Sequence, residues 1–249
     1  MRKFENKTVI VTGAGANIGK EIALSFAREG ANVIVCDYKE ENAIQTASEI
    51  SELGVGVMTA VCDVRDREKI FYYVDEAIKR FKKIDVLVNN AGGSAALLNK
   101  ITKFVDAEQS TLDFVIDTNV KGAMNCTQAV LKHMIENNSG HIINMASIAG
   151  ITGLANRVDY SAAKAALIGM TKALAMEVGE YNVLVNSVSP GAIARDGASL
   201  VNMTYIGENG RSGVPKDIAE AVLYLASQNF VTGENLVVDG GRTLGAKHR

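Results

Sequence analysis

Seven short runs of β-branched and aliphatic residues, separated by longer amphipathic runs, constrain this chain more than any other feature. The short runs are KTVIVT (7–12), NVIVCD (32–37), VGVMTAVCD (55–63), IDVLVNNAGG (84–93), HIINMAS (141–147), NVLVNSVSPG (182–191) and ENLVVDGG (234–241). They are nearly continuous in valine and isoleucine and do not alternate with polar residues. Strands of that kind are buried on both faces, as in a parallel sheet covered by helices. The longer runs at 18–30, 41–54, 67–81, 111–136, 159–180 and 215–227 have helical spacing. Gly30 and Gly54 close the first two, and Pro215 opens the last. Strands alternating with helices throughout predict an α/β fold, a doubly wound seven-stranded parallel sheet with right-handed crossovers and helices on both faces. No composition break or fixed-period repeat divides the 249 residues, so one domain over 1–249 is expected.

Charge and apolar patterning narrow the function classes. The net charge is −2 with no basic block, which argues against a nucleic-acid surface. The longest apolar runs are far shorter than the roughly 20 residues of a membrane helix, so no membrane partner is expected. MRKFENKTVIVTG enters a strand without an apolar signal region, which points to a cytoplasmic protein. Cys36, Cys62 and Cys126 form no CxxC, and with His133, His141 and His248 equally scattered no metal site is expected.

In a doubly wound sheet, ligands bind beyond the carboxyl ends of the strands. The first such end is TGAGANIGK (12–20), between a strand and a helix. Gly13 allows a tight turn, Gly15 adds freedom, and Gly19 permits close helix–strand contact. The helix that follows offers free N–H groups and a positive dipole end to a pyrophosphate. The alternative is an ordinary strand–helix turn. The lysine spacing of a nucleoside-triphosphate loop is missing, which favours a dinucleotide. Asp37 closes the second strand, 18 residues beyond Gly19. A carboxylate there accepts both ribose hydroxyls of an adenosine and repels a 2′-phosphate, favouring NAD(H) over NADP(H). Lys39 stands close by, and Asp37 also suits a helix cap.

VDYSAAKAALIG (158–169) places Tyr160 and Lys164 one helical turn apart among small residues. A phenol with an unperturbed pKa of about 10 is a poor base at neutral pH. An ammonium at ~4 Å lowers that value by roughly two units at intermediate dielectric. Tyr160 then becomes a usable general acid–base, and the alanines and Ser161 leave room for a flat nicotinamide. From the pair alone, a core tyrosine with a solvated lysine is the better reading, because Tyr-x-x-x-Lys arises often by chance.

Read together, TGAGANIG (12–19), NNAG (89–92), Ser147 after the fifth strand and YSAAK (160–164) resemble the short-chain dehydrogenase/reductase family, in order and along essentially the whole chain. Asn119 within DTNVKG and Pro190-Gly191 after the sixth strand match as well. The resemblance implies a Rossmann-type fold and a hydride transfer between a secondary alcohol or ketone and a nicotinamide. It implies that Tyr160 protonates the carbonyl oxygen or deprotonates the alcohol, that Ser147 binds the same oxygen, and that Lys164 binds the nicotinamide ribose. Asn119 would bend its helix and hold a water that links Lys164 to solvent. The same resemblance implies that Asn89, Ala91 and Gly92 border the adenosine side and stabilise the central strand. Asp63 and Val64 would face the adenine, Ile18 would touch the cofactor through its backbone, and Ile193 the carboxamide, beside Pro190 and Gly191. Two positions depart from the family. Asn17 stands where glycine is usual, and asparagine tolerates a left-handed backbone. Arg195 stands where a threonine often contacts the nicotinamide amide.

The expected substrate pocket is lined by Gly93 to Leu98, by Ile148 to Asp159, and by a short glycine-containing lid over 193–212 with Met203 and Tyr205. Arg157 and Arg195 are candidates to hold an acidic group, against the commoner roles of a solvated surface residue or a subunit contact. The substrate readings are a sugar, polyol or sugar acid; a hydroxysteroid or bile acid; and a 3-oxoacyl thioester reduced with NADPH. The reading from another class is a catalytically silent dinucleotide sensor. The resemblance also implies a homo-oligomer, dimer or tetramer, paired through the helices at 111–136 and 159–180. The basic tail 242–249 reads as a solvated terminus or a reach into a neighbouring subunit.

Overall fold

The computed structural model of this chain describes residues 2–194 and 212–245. All seven expected strands form. They are β1 (Thr8–Thr12), β2 (Asn32–Asp37), β3 (Val57–Val61), β4 (Val86–Asn89), β5 (Gly140–Met145), β6 (Val183–Pro190) and β7 (Asn235–Val238). Every pairing is parallel, in the order β3-β2-β1-β4-β5-β6-β7. The inner strands β1, β4 and β6 are buried at every residue, whereas the edge strands β3 and β7 are mostly half-exposed. Continuous aliphatic runs therefore mark the middle of the sheet, and the edges keep the pattern with only one face covered.

The helices are α1 (Asn17–Arg28), α2 (Glu40–Ser51), α3 (Arg67–Phe81), α4 (Gln109–Ile116), α5 (Gly122–Glu136), α6 (Ala149–Thr152), α7 (Val158–Val178) and α8 (Pro215–Ala226). They cover both faces. One core holds Ile22, Phe26 and Ile50 with Ile218, Val222 and Leu225. The other holds Ile70, Val74, Cys126, Val130 and Met134. Gly30 and Gly54 take positive φ just past α1 and α2, a conformation that β-carbons disfavour. Cys36, Cys62 and Cys126 are buried free thiols in the second core, where burial raises all three thiol pKa values.

The helical run expected over 111–136 forms without a break, and within it α4 joins α5 through a π-helical segment, Asp117–Lys121. Its central residue, Asn119, donates its amide to the Val115 carbonyl at 2.8 Å and to the Gly93 carbonyl at 2.7 Å. A side chain that takes a backbone acceptor in this way widens the local ladder. Short turns at Ala95–Leu98 and Phe104–Asp106, and the brief α6, were not expected from periodicity.

Strand order reverses between β1 and β4, because β2 lies on one side of β1 and β5 on the far side of β4. A crevice opens at such a switch point beyond the carboxyl ends of the strands.

Candidate active site

The crevice is built from the ends of β1, β2 and β4. Ala14 donates its N–H to the Cys36 carbonyl at 3.1 Å, and Gly15 donates to Asp37 Oδ2 at 2.9 Å. The loop is thus pinned to the end of β2. From the other side, Asn90 Nδ2 donates to the carbonyls of Thr12 (2.9 Å) and Gly13 (3.1 Å). Thr12 Oγ1 accepts the N–H groups of Asn90 (3.0 Å) and Ala91 (2.9 Å). Gly13 has φ +63°, and a β-carbon on Gly19 would strike the Gly13 carbonyl oxygen and the Asn90 amide. Asn17 takes φ +49°, and the side chain of Ala16 cannot cap α1. These features fit a dinucleotide. The glycines bring backbone close, and among the described residues no side chain caps the N–H groups of the helix start.

Asp37 is buried, with Oδ1 accepting the Lys39 N–H at 2.9 Å. Each oxygen keeps a lone pair, and the helix cap of α2 is Lys39, not Asp37. Lys39 Nζ lies 5.6 Å from the centre of the Tyr38 ring. Asp63 is clasped by the Arg65 guanidinium, 2.6 Å from Nη2 to Oδ2, and this bond holds its carboxyl below the usual range. Val64 is buried against Gly122, and its carbonyl accepts the Asn125 amide at 3.0 Å. Ile18 is half-buried against the first core.

Asn89 does not reach the glycine loop. Its amide donates to Thr127 Oγ1 (3.0 Å) and Asn144 Oδ1 (2.9 Å), and Asn144 donates on to Thr171 Oγ1 (2.9 Å). This buried chain ties β4 to β5, α5 and α7. Asn90 is the residue that holds the loop, and with Thr12 it was missed by sequence reasoning. The available signal was alternation, since neighbours in an extended segment point to opposite faces.

The second half of the site gathers at the ends of β4, β5 and β6. Lys164 is only 4 % exposed and donates to the Met145 carbonyl at 2.7 Å. Its Nζ lies 5.6 Å from the centre of the Tyr160 ring. A β-carbon on Gly92 would strike Asn119 Oδ1 and approach Lys164 Nζ to 3.3 Å. Gly92, Asn119 and Lys164 therefore share one point. Burial alone pushes the Lys164 ammonium down to about 8, an opposing effect that spacing did not reveal. Ser147 Oγ accepts the Ala149 N–H at 3.1 Å. A β-carbon on Gly150, three residues on, would press within 2.6 Å of the α7 backbone at Lys164 and Ala165. The Ser147 turn is thereby seated on the tyrosine–lysine helix.

The Pro190 carbonyl accepts the Ile148 N–H at 3.1 Å, and the Gly191 N–H donates to Val238 at 2.9 Å. Ile193 forms an isolated parallel bridge with Gly213. Arg195, the lid residues 195–211 and the tail residues 246–249 lie outside the described residues. Among the described residues no group of acids, cysteines and histidines could hold a metal ion. Nor is any described helix long and apolar enough to cross a membrane.

Comparison with known proteins agrees with this geometry. A family model described as short chain dehydrogenase matches residues 7–204. The hydroxy(phenyl)methylsuccinyl-CoA dehydrogenase subunit BbsD of Thauera aromatica is 39% identical, covering 97% of this chain and 98% of that protein. The 3-oxoacyl-acyl-carrier-protein reductase FabG of Thermotoga maritima is 37% identical, covering 96% and 98%. The crystal structure of levodione reductase superposes with a TM-score of 0.89 at 28% identity, covering 97% and 99%. With the fold, the glycine crevice and these likenesses in agreement, this chain belongs to the short-chain dehydrogenase family, oxidoreductases that bind a nicotinamide dinucleotide and act on CH–OH groups.

Proposed function

We propose that this enzyme interconverts a secondary alcohol and a ketone with NAD(H), using Tyr160 as the acid–base group. The observation that carries the reading is Lys164, buried beside Gly92 and Asn119 with its ammonium 5.6 Å from the Tyr160 ring centre. With its pKa at about 8, Lys164 stays mostly protonated at neutral pH and stabilises a phenolate. Tyr160 then passes its proton to a carbonyl oxygen, or takes one from an alcohol. Ser147 Oγ already accepts a backbone N–H, so its own proton is left to donate to the same oxygen. Asn119 holds the strand-end loop at Gly93 from both sides, donating to its carbonyl and accepting its N–H at 3.2 Å. The dinucleotide, when bound, supplies or accepts the hydride.

Asp37 supports NAD over NADP. Two backbone N–H groups fix its carboxylate, and a 2′-phosphate beside it would bring like charges together. The substrate mouth supports a bulky apolar molecule such as a hydroxysteroid over a polyol, because Leu97, Leu98, Ile151 and Leu154 are exposed around it. A thioester-linked 3-oxoacyl or hydroxyacyl substrate is the second reading, favoured by the likeness to the two thioester-acting relatives. A homo-oligomer is supported by the outer face of α7, where Ala162, Ala165, Ala166, Ala173 and Met176 are exposed.

The test is Tyr160→Phe, assayed by absorbance at 340 nm with NAD and NADP across hydroxysteroids, polyols and 3-oxoacyl thioesters. Loss of the phenol is expected to lower turnover by at least about 10³-fold, with NADH affinity within a factor of about three. A variant that keeps full turnover on a confirmed substrate removes Tyr160 from the chemistry.

A further inference from the structure

Arg157 stands at the start of α7, three residues before Tyr160. Its Nη1 donates to Ser94 Oγ at 2.6 Å, bridging 63 positions of sequence. Ser94 is buried and caps the turn Ala95–Leu98. One hydrogen bond therefore joins the turn after β4 to the start of α7, the helix that carries Tyr160.

Among the described residues, the side-chain partner of this guanidinium is a neutral hydroxyl. No carboxylate among the described residues pairs with Arg157. Asp159, two residues on, is 8 % exposed with Oδ2 buried and unpartnered. It opens the inward stripe of α7 that continues through Ala163, Leu167 and Thr171. A guanidinium has five N–H donors in a planar fork suited to carboxylate. One is spent on Ser94, and that bond fixes the fork's direction.

The surroundings are apolar. A β-carbon on Gly93 would strike Leu97 Cδ1, so Leu97 lies over the loop that Asn119 grips. Leu154 is tied to the helix start, its N–H donating to Ser161 Oγ at 3.1 Å and its carbonyl accepting the Arg157 N–H at 3.1 Å. Exposed leucines thus flank a half-buried cation within one turn of the proposed acid–base residue.

We propose that Arg157 is the anion-recognition residue of the substrate mouth, taking the carboxylate of an amphiphilic substrate whose apolar body lies on Leu97 and Leu154, with Ser94 as the positioning residue for the guanidinium. This rests on the reading of Tyr160 and Lys164 as the reacting end.

The test is calorimetric titration of the NADH-loaded enzyme with octanoate and, separately, octan-1-ol. The wild type is expected to bind octanoate at least tenfold more tightly. Arg157→Gln keeps a donor for Ser94 but removes the charge. It is expected to weaken octanoate binding by roughly 10- to 100-fold while octanol binding is unchanged. Ser94→Ala should lose a smaller part of the preference, and Arg157→Lys should retain some. NADH binding, followed by fluorescence in the same samples, reports whether each variant keeps its crevice. Failure of the wild type to bind NADH would overturn the dinucleotide reading and not this one. A wild type that does not prefer octanoate, or an Arg157→Gln variant that keeps the preference, overturns the proposal. Equal loss of octanoate and octanol binding in Arg157→Gln also overturns it, and assigns Arg157 to holding the turn to α7.

Discussion

At the dinucleotide end, Thr12, Gly13, Gly15, Asp37 and Asn90 bond one another through main chain and short side chains, and a β-carbon at Gly19 has nowhere to go. At the substrate end, the turn at Ala95–Leu98 and the loop before α7 present exposed leucines and meet through the Arg157–Ser94 bond. Both ends sit beyond the carboxyl ends of the strands of one sheet. The first is a rigid cradle in which shape is set by backbone, so almost any side chain added there does harm. The second is a set of side chains on short turns, where substitution alters what binds and leaves the fold alone. Loops that carry specificity on a rigid scaffold commonly divide in this way.

The largest effect is expected from Gly19→Ala. The added methyl meets the Gly13 carbonyl and the Asn90 amide, both held by other bonds, so the turn must shift. Overpacking of this kind costs about 1–3 kcal/mol, sometimes more. For a chain of this length that is roughly 2–4 °C of Tm per kcal/mol. The NADH Kd is expected to rise by at least about 100-fold, measured by fluorescence titration, alongside the fall in Tm. Near-normal NADH affinity would mean that the cradle yields, and the contrast between the two ends would fail.

Lys164 lies between the two ends, and its burial makes the stability of the fold depend on pH. Burial lowers its pKa to about 8, against about 10.4 for an unperturbed lysine. The unfolded chain therefore binds this proton more tightly, and stability rises with pH across that window. Below pH 8 the native state carries a penalty of about 3 kcal/mol, which disappears as pH approaches 10.4. Lys164→Met should remove both the penalty and the reaction. In the cofactor-free protein the variant is expected to be up to about 2 kcal/mol more stable than wild type at pH 7, after about 1 kcal/mol for the lost bond to Met145. The advantage should vanish and reverse near pH 10. Urea denaturation at both pH values checks the sign. Titrating groups remote from Lys164 cancel between the two proteins, and the neighbouring Tyr160 is removed from the difference by making both proteins on a Tyr160→Phe background. A wild-type advantage at pH 7 would show that the lysine is not the strained group that its burial indicates.

The contrast also explains what the sequence made legible. Sheet, crossovers and glycine turn announce themselves locally, since Val-Ile runs mark double burial and Gly13 lies at a strand–helix junction. The tyrosine and lysine are legible as a helical turn. The burial of Lys164 is not, because alanine-rich spacing does not say which face is covered or that Met145 offers a carbonyl. DTNVKG contains no residue that demands a π segment. It forms because Asn119 reaches Gly93, 26 positions away. Asn89 and Asn90 look interchangeable in a motif, and only their opposite directions separate a strand tie from a loop clamp. Arg157 and Ser94 are 63 positions apart, and nothing in either neighbourhood names the other.

The smallest expected effect belongs to the open end. Leu154 is about half exposed, and its structural tie is through backbone, the N–H to Ser161 Oγ and the carbonyl from Arg157 N–H. Leu154→Ser keeps that backbone and removes apolar surface that is already partly in water. Its effect on stability is expected to stay within about 0.5 kcal/mol, as for surface positions generally. The NADH Kd should not move. What should change is recognition of the apolar body: losing part of a leucine's contact area is worth about 1 kcal/mol, or roughly fivefold in KM for an apolar ketone, with kcat little altered. A polyol oxidised by the same enzyme should show no such change. If Leu154→Ser instead destabilises the fold as much as Gly19→Ala does, the loop before α7 is part of the scaffold. The division into a backbone cradle and a side-chain mouth would then have to be redrawn with the boundary beyond Leu154.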